Sequence, residues 1–349
     1  MKKVIVWLIF LFVVSSVSFG AVSKKVVKKS VVKIKSEFEK PSIIVPVPAP
    51  VPETKVEITS FLKKLTMNGS FRVRYTASEV LATADTLSIS RARIKLTGEI
   101  TPDITFLVQP DFSALSTGAN VTLTDVYAQF KTPYTTLRVG QFLLPFGYDS
   151  SKYKTIFAAG FNPTYYGLIV PARDYGVRAM GEIPMFAGLY YDGAIINGTG
   201  GADVNKTKDI VGRINYKNDS LDLGLSGYYG KAGVTEISKK DIGMDVEYKF
   251  SPYQVVAEYL TGQNIAAAVK IQDYYLQLSG MFDNHEPLVK YEVYDLDTTT
   301  TGNIVNTLTL GYGCYFDKTT KGIINYNMIN EETTQINNNT LILEFQTQI

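Results

Sequence analysis

The chain has 349 residues, of which 45% are hydrophobic and 12% aromatic, and it carries a formal charge of +2. The charge is uneven, because residues 1–57 hold ten of the 35 basic and four of the 33 acidic residues, which leaves 25 and 29 and a net charge of −4 for the rest. Beyond the N-terminus no stretch is apolar enough for a spanning helix, so a helical membrane domain is excluded. A single cysteine excludes an intrachain disulfide.

The N-terminus has the features of a secretory signal. Lys2 and Lys3 precede an apolar run over 4–14, and Ser18 and Gly20 place small residues where a signal peptidase reads. We therefore predict that residues 1–20 are a cleaved signal peptide. A membrane anchor is the alternative, but the apolar stretch is shorter than the roughly 20 residues that a span requires.

Residues 21–60 form a leader of different composition. It begins with the Lys/Val repeat KKVVKKSVVKIK and continues with alternating prolines over 46–52, which predict an extended polyproline-like spacer. We interpret it as a periplasmic tether whose lysines, over 22–57, bind anionic cell-wall polymer or lipid headgroups. A solvated, disordered leader is the alternative.

Residues 61–349 predict an all-β fold, a transmembrane antiparallel β-barrel of about 16 strands. Segments of about ten residues alternate apolar and polar side chains, as membrane-spanning strands do. The last segment is the clearest, with Leu341, Leu343 and Phe345 on one face and Glu344 and Gln346 on the other. The predicted strands are 67–77, 87–100, 103–111, 121–131, 135–141, 174–183, 187–197, 209–216, 220–231, 239–250, 252–261, 270–282, 286–296, 304–316, 321–329 and 339–349.

The connections between these strands alternate in length. Tight polar turns interleave with longer loops rich in Gly, Ala, Thr and Asn, which indicates a barrel with its short rim in the periplasm of a Gram-negative type envelope. The third long connection, from 142 to 173, is the exception because it is both long and apolar. We predict that it folds inward and narrows the pore, with constriction residues Lys152, Lys154, Tyr165, Tyr166 and Arg173. A loop that covers the surface or contacts a trimer partner is the alternative.

Strand parity assigns basic side chains to the barrel interior. Phe71, Val73 and Tyr75 form the apolar face of the first strand, which turns Arg72 and Arg74 inward. The same reasoning gives the predicted basic pore-lining set: Arg72, Arg74, Arg91, Arg93, Lys95, Arg138, Arg178 and Arg213.

The inward parity of the later strands is acidic. The predicted acidic pore-lining set is Asp111, Asp125, Asp245, Glu247, Glu258 and Glu292. One basic and one acidic wall would produce a transverse field that orients charged or dipolar solutes. The alternative is that these charges pair across adjacent strands, although Asp111 and Asp125 alone do not suffice for the basic row.

Several segments together resemble the phosphate-selective porin O and P family of sixteen-stranded outer-membrane porins. They include GSFRVRY at 69–75, RARIKLTG at 91–98, VGQFLLPFG at 139–147 and ARDYGV at 172–177. The resemblance covers about 67–213. It implies a homotrimer with an inward third loop and, in some members, passage of phosphate or polyphosphate along Arg and Lys. Ile349 departs from the terminal Phe that is typical of such barrels.

Other functional classes find little support. His285, the only histidine, lies in a predicted turn, and Cys314 lies on the lipid parity, so neither a catalytic dyad nor a metal site is expected. The glycines at 198–201 lack the Lys-Ser/Thr of a P-loop, and basic residues are not gathered as nucleic-acid binding requires. We therefore expect no cofactor, no metal, no nucleic-acid partner and no enzymatic activity.

The sequence thus predicts an outer-membrane porin, a passive channel for small hydrophilic solutes, with a preference for anions such as phosphate as a refinement. Its expected partners are outer-membrane lipid, two further copies of the chain and, through the leader, the cell wall. Two alternatives stay open: a structural or adhesive barrel, and a soluble secreted β-sheet binding protein.

Overall fold

The structure is a computed structural model that describes residues 62–80, 84–148, 172–201, 203–264 and 269–349. The predicted signal peptide, the whole leader, and Lys152, Lys154, Tyr165 and Tyr166 of the predicted constriction lie outside the described residues.

Within these residues, sixteen strands form one closed antiparallel barrel in which each strand pairs with its chain neighbours and the last pairs with the first. In chain order, β1 to β16 span Lys64–Ser78, Thr86–Thr101, Ile104–Asp111, Thr122–Lys131, Thr136–Leu143, Arg173–Glu182, Leu189–Ile196, Asp209–Lys217, Leu221–Ala232, Ile237–Phe250, Tyr253–Asn264, Val269–Gly280, His285–Asp295, Ile304–Tyr315, Thr320–Glu331 and Thr340–Gln348. The predicted fold class and strand number are confirmed. A 3₁₀-helix, Ser113–Thr117, lies between β3 and β4.

Alternation of side chains along each strand separates two faces of the wall. On β16, Glu344 and Gln346 are buried inside the barrel, whereas Phe345 between them is exposed on the outer surface. On β8, Val211 and Arg213 are buried, and Ile210 and Ile214 are exposed. The outer face is therefore apolar and suited to lipid, and the inner face carries the charges.

Aromatic side chains line the outer surface at one rim. Tyr248, Phe250, Tyr253 and Phe282 form a row of ring contacts with centroid separations of 5.6, 5.6 and 5.7 Å. They flank the short connections 251–252 and 281–284, which end at this rim. Such a row is typical of the membrane interface of an outer-membrane barrel, where aromatic rings lie at headgroup level.

The connections largely alternate in length as the sequence predicts. The connections at the short rim have two to six residues; 102–103 is among the shortest and 183–188 is the longest. At the other rim, 112–121 and 197–208 are longer. The connections 233–236 and 265–268 are exceptions, because they have only four residues at the long rim. Within the described residues, no helix is both long and apolar enough to cross a membrane.

Candidate functional site

Two arginines of β1 share one carboxylate inside the barrel. Arg74 Nε donates to Glu344 Oε2 at 2.6 Å, and Arg72 Nη1 lies 3.9 Å from Glu344 Oε1. The Glu344 side chain is 0% exposed, whereas that of Arg74 is 33% exposed. The negative partner is thus hidden in the wall while the positive one faces the lumen. Glu344 is on the predicted polar face of the last strand but is not in the predicted acidic set, and closure of β1 on β16 brings it to these arginines.

Two pairs of arginines lie directly opposite each other on neighbouring strands. A β-bulge at Ser90 shifts the register of β1 and β2 and aligns Arg72 with Arg91, and Arg138 on β5 is aligned with Arg178 on β6. Like charges in directly opposed positions destabilise a sheet. These two arginine pairs therefore cost the barrel stability, and they concentrate positive charge on the inner face.

Neighbouring groups offset part of this cost. Arg138 lies over the Tyr127 ring, with its guanidinium carbon 4.0 Å from the centroid, and donates from Nη2 to Gln129 Oε1 at 2.9 Å. Arg178 donates two hydrogen bonds to the Asp192 carboxylate, from Nε to Oδ1 at 2.6 Å and from Nη2 to Oδ2. Its Nη1 donates to the Leu143 carbonyl. Asp192 was not predicted to face inward.

The remaining predicted basic residues also lie on the inner face. Arg93 Nε bonds Asp111 Oδ2 at 2.6 Å, and Arg173, described at the start of β6, binds Asp125 through two nitrogens at 3.1 Å. Lys95 shares the parity of Arg91 and Arg93 and is exposed. Each of the predicted acids Asp111 and Asp125 therefore neutralises one arginine, as the pairing alternative requires.

Arg213 reaches past its neighbouring strand. Its guanidinium crosses over Gly224 of β9 and forms a bidentate pair with Asp245 of β10, with Nη2 to Oδ1 at 2.7 Å. Asp222 lies 3.7 Å away on β9. This arginine belongs to the acidic side of the barrel and is fully neutralised there.

The other predicted acidic residues are buried on the inner face of β10 to β13. Glu292 accepts from Lys290 Nζ at 2.6 Å, and Lys249 Nζ lies 3.6 Å from Glu247 Oε1. Lys290 is itself buried against the Tyr275 ring at 4.0 Å. Neither lysine is in the predicted basic set, although Lys290 has the same parity as Glu292.

The first residues of the third loop lie inside the barrel. Leu144–Tyr148 are all buried; the Gly147 N–H donates to Ser226 Oγ at 3.0 Å and the Tyr148 N–H to Glu258 Oε1 at 2.6 Å. Ser226 is on β9 and Glu258 on β11, so this segment contacts the acidic wall. The rest of the loop, 149–171, lies outside the described residues.

An open cavity of about 650 Å³ lies along the inner wall at the short-turn rim. Its lining includes Thr136, Met180, Glu182, Asn215 and Asp222, which lie on β5, β6, β8 and β9. Asp192, the carboxylate partner of Arg178, also lines the cavity. The interior is therefore open to water at this end.

Groups that would indicate another chemistry are placed on the outside. His285 lies on the outer face, stacked on Tyr312, whose hydroxyl contacts His285 Nδ1. Cys314 lies opposite His285 in the register and is half-buried. Among the described residues, no group of three or more His, Cys, Asp or Glu side chains could hold a metal ion.

A family model described as phosphate-selective porin O and P matches residues 64–232, from β1 to the end of β9. The match covers 169 of the 349 residues and includes nine of the sixteen strands. The family and the closed barrel make it an outer-membrane porin, as predicted. A comparison with curated proteins finds no match.

Several solved structures have the same fold. An anion-selective porin from Comamonas acidovorans aligns with a TM-score of 0.64 at 16% identity, over 82% of this chain and 99% of that one. OmpF of Salmonella typhi in complex with daunomycin aligns with a TM-score of 0.65 at 13% identity, over 84% of this chain and 99% of that one. The trimer form of OmpT, an outer membrane protein of Vibrio cholerae, aligns with a TM-score of 0.61 at 12% identity, over 82% of this chain and 99% of that one. At these identities the likeness concerns the fold.

Proposed function

We propose that this porin is a passive diffusion channel for small hydrophilic solutes and that it favours anions such as phosphate. The observation that carries the proposal is the group formed by Arg72, Arg74 and Glu344. Two guanidinium groups share one carboxylate, and only the positive partner is exposed to the lumen. Arg91, directly opposite Arg72, adds charge of the same sign. A permeating anion therefore meets excess positive charge where screening by water is limited.

Arginine also suits the proposed solute. Its planar fork can hold a phosphate through two hydrogen bonds, whereas lysine offers a point charge. In this proposal the predicted basic set lines the anion path at β1, β2, β5 and β6. Arg213 is the exception, because Asp222 and Asp245 neutralise it. No catalytic step is assigned to any residue.

The test is conductance of the purified mature chain in a planar bilayer. We expect stepwise insertion currents without an energy source, a reversal potential on the anion side in a KCl gradient, and block of chloride current by phosphate. Replacing Arg91 and Arg93 by Gln keeps polar side chains of related length while it removes two charges, so the reversal potential should shift toward cations and the block should weaken. A cation-selective wild type without phosphate block would assign control to the acidic wall, and silent insertions would favour the adhesive barrel.

Three parts of the proposal concern regions or partners beyond the described residues. The third loop, with Lys152, Lys154, Tyr165 and Tyr166, is proposed to narrow the pore, which the inward course of 144–148 supports. A homotrimer is proposed because the Vibrio cholerae OmpT structure of the same fold has a trimer form.

The leader over 22–57 is proposed to bind the cell wall through its lysines. Sedimentation with purified peptidoglycan, with and without residues 22–57, tests this.

A further inference from the structure

Two lysines face outward near the long rim of the barrel. Burial alternates along β10 and β12, and Lys240 and Lys270 are on the exposed, outward parity of these strands. Within the described residues neither forms a salt bridge, and the Lys240 Nζ lies 5.7 Å from the centroid of the Tyr229 ring. Lys231 at the end of β9, by contrast, pairs with Glu236 at 3.0 Å. Two uncompensated positive charges are therefore on the lipid-facing side of the wall.

The height of Lys240 in the membrane follows from the strand geometry. Phe250, in the aromatic row at the short rim, is ten residues from Lys240 along β10. At a rise of about 3.4 Å per residue and a tilt of about 40°, this separation corresponds to a height of about 26 Å. The apolar band of an outer-membrane barrel is about 25 Å tall, and its longer loops face the outside. Lys240 therefore lies at the level of the outer-leaflet headgroups.

The sheet register places an amide between the two lysines. Gln263 of β11 is exposed and aligned with Lys270 of β12. Its N–H donates to Asp241, which adjoins Lys240 on β10. Adjacent strands are about 4.8 Å apart, so the two lysine backbones are separated by about 10 Å. Lysine stems are flexible and long, so both ammonium groups can contact one phosphate across this gap.

A shallow apolar groove lies beside these lysines. Its floor consists of Gly227, Gly212 and Gly193, which are aligned with one another on the outward parity of β9, β8 and β7. A Cβ built on Gly227 meets no heavy atom within 4 Å. The sides of the groove are Ile195, Ile210 and Tyr229 toward the long rim and Tyr191, Ile214 and Leu225 toward the short rim. Glycine inside a strand often marks a place that a ligand approaches closely.

The groove descends from the lysines into the membrane. The row of aligned residues that begins at Lys217, the last residue of β8 at the short rim, ends at Thr340, the first residue of β16 at the long rim. Rows therefore rise toward the long rim with strand number, and Gly193 lies deeper than Gly227. From β10 to β7 the distance is about 14 Å, which one acyl chain can span because half of the hydrocarbon core is about 15 Å thick.

We infer that the outer face of β7 to β12 binds a lipid of the outer leaflet whose headgroup carries phosphate. Lys240 and Lys270 bind the phosphate, Gln263 donates to it from its amide, and an acyl chain lies in the glycine groove. One lipid molecule complements both the positive charge and the apolar groove, whereas inorganic phosphate complements the charge alone. The site is on the outside of the wall, so it does not depend on the ion selectivity of the lumen.

The test uses a tryptophan reporter and brominated lipids. Trp7, the only tryptophan, lies in the predicted signal peptide, so Ile214→Trp in a chain without residues 1–20 is a single fluorophore beside the groove. The variant is reconstituted in phosphatidylcholine vesicles that contain a small fraction of brominated phosphatidic acid or, separately, of brominated phosphatidylcholine. We expect several-fold stronger quenching per mole by the phosphatidic acid. Leu310→Trp, exposed on the outer face of β14, is the matched control and should be quenched equally by both.

The lysines are tested with the same reporter. Lys240→Gln together with Lys270→Gln should lower the quenching ratio of the two lipids to the value for Leu310→Trp. Lys318→Gln, in a short-rim turn, should leave it unchanged. Equal quenching of Ile214→Trp by both lipids, or a ratio that does not respond to the lysines, would overturn the inference. Quenching by neither lipid would overturn it in favour of a contact with a second copy of the chain.

Two further measurements separate a lipid from free phosphate. Gly227→Leu fills the groove and keeps both lysines, so the ratio should fall, whereas Ala128→Leu, aligned with the exposed Val139 on the outer face, should not change it. Excess inorganic phosphate at constant ionic strength should not displace the phosphatidic acid. Displacement, or an unchanged ratio in Gly227→Leu, would overturn the lipid assignment. Heat-modifiable mobility checks folding, and Gly227→Ala, whose Cβ has open space, replaces a leucine variant that does not fold.

Discussion

The guanidinium of Arg213 reaches Asp245 by passing over Gly224, which lies on the strand between them. A Cβ at position 224 would lie 2.1 Å from Arg213 Nη2, so any residue other than glycine would force the guanidinium to move from this position. The pair joins β8 to β10 and holds the carboxylate at the centre of the acidic wall. A charge pair that is buried this deeply depends on both partners, because either one alone would be left uncompensated.

Gly224→Ala should therefore destabilise the barrel. The added Cβ moves the Arg213 guanidinium away from Asp245 but removes neither charge, and Asp222 remains near Arg213, so the cost should stay below the about 3–5 kcal/mol that loss of one partner of a buried ion pair causes. Urea unfolding in detergent micelles measures the free energy of unfolding. The control is Gly227→Ala on the same strand, where an added Cβ meets nothing within 4 Å and the change should stay within about 0.5 kcal/mol. Equal destabilisation by both variants would contradict the pairing role.

Glu344→Gln should increase anion selectivity. Gln keeps an acceptor for Arg74 and removes the negative charge that Arg72 and Arg74 share, so the net positive charge of this group rises. The reversal potential in a KCl gradient should move further toward the anion limit. Arg74→Gln is the matched variant with the opposite expected sign. If both variants move the potential in the same direction, the group does not act on the ion through its charge.

Deletion of Ser150–Tyr166 should raise single-channel conductance markedly and leave the barrel folded. The deletion removes the portion of the third loop that is proposed to narrow the lumen and keeps 144–148, where the Gly147 and Tyr148 N–H groups donate to side chains of β9 and β11. Heat-modifiable mobility serves as the folding control. Unchanged conductance in a folded deletion variant would move this part of the loop to the outer surface.

The turn at Asp317 should contribute stability that disappears in acid. The pKa of Asp317 is held below its ordinary value of 3.8 because the Thr319 N–H and hydroxyl and the Thr320 N–H donate to its carboxylate. A lowered pKa in the folded state gives stability that is present above the unfolded value and is lost as pH falls through the folded value.

Asp317→Ala should accordingly lower the thermal unfolding midpoint at pH 7, and the difference from wild type should shrink below about pH 4. Lys318→Ala in the same turn is the control and should show no such pH dependence. A deficit of Asp317→Ala that is the same at pH 7 and pH 2.5 would show that the carboxylate charge is not its cause.

Strand positions and faces follow from local sequence, and most could be predicted. Alternation along a strand is a property of adjacent residues, so the inward parity of Arg74, Arg93 and Glu258 is readable without knowing any partner. The loops at 233–236 and 265–268 illustrate the limit, because their flanking strands extend further than the alternation indicates. The additional residues pair with neighbouring strands, which the strand's own sequence does not encode.

The charge partners could not be predicted in the same way. Glu344 is 270 residues from Arg74 along the chain, and it reaches this arginine only because the barrel closes. Asp192, the partner of Arg178, is not in the predicted acidic set. The sequence did contain the signal, because Asp192 alternates with Tyr191 and Gly193 on a strand that was correctly located.

By itself, the sequence determined that the chain forms a β-barrel and which face of each strand is polar. It also determined that the arginines lie in the first half of the barrel. These properties could be predicted because they depend on residues that are neighbours in the sequence. Only the tertiary structure decided which charges remain exposed. Barrel closure gave Arg72 and Arg74 a single buried carboxylate, the bulge at Ser90 set Arg72 opposite Arg91, and the inward course of 144–148 brought the first residues of the third loop to Ser226 and Glu258. These contacts join residues far apart in the chain, and burial, rather than residue type, decides which charge a solute can meet.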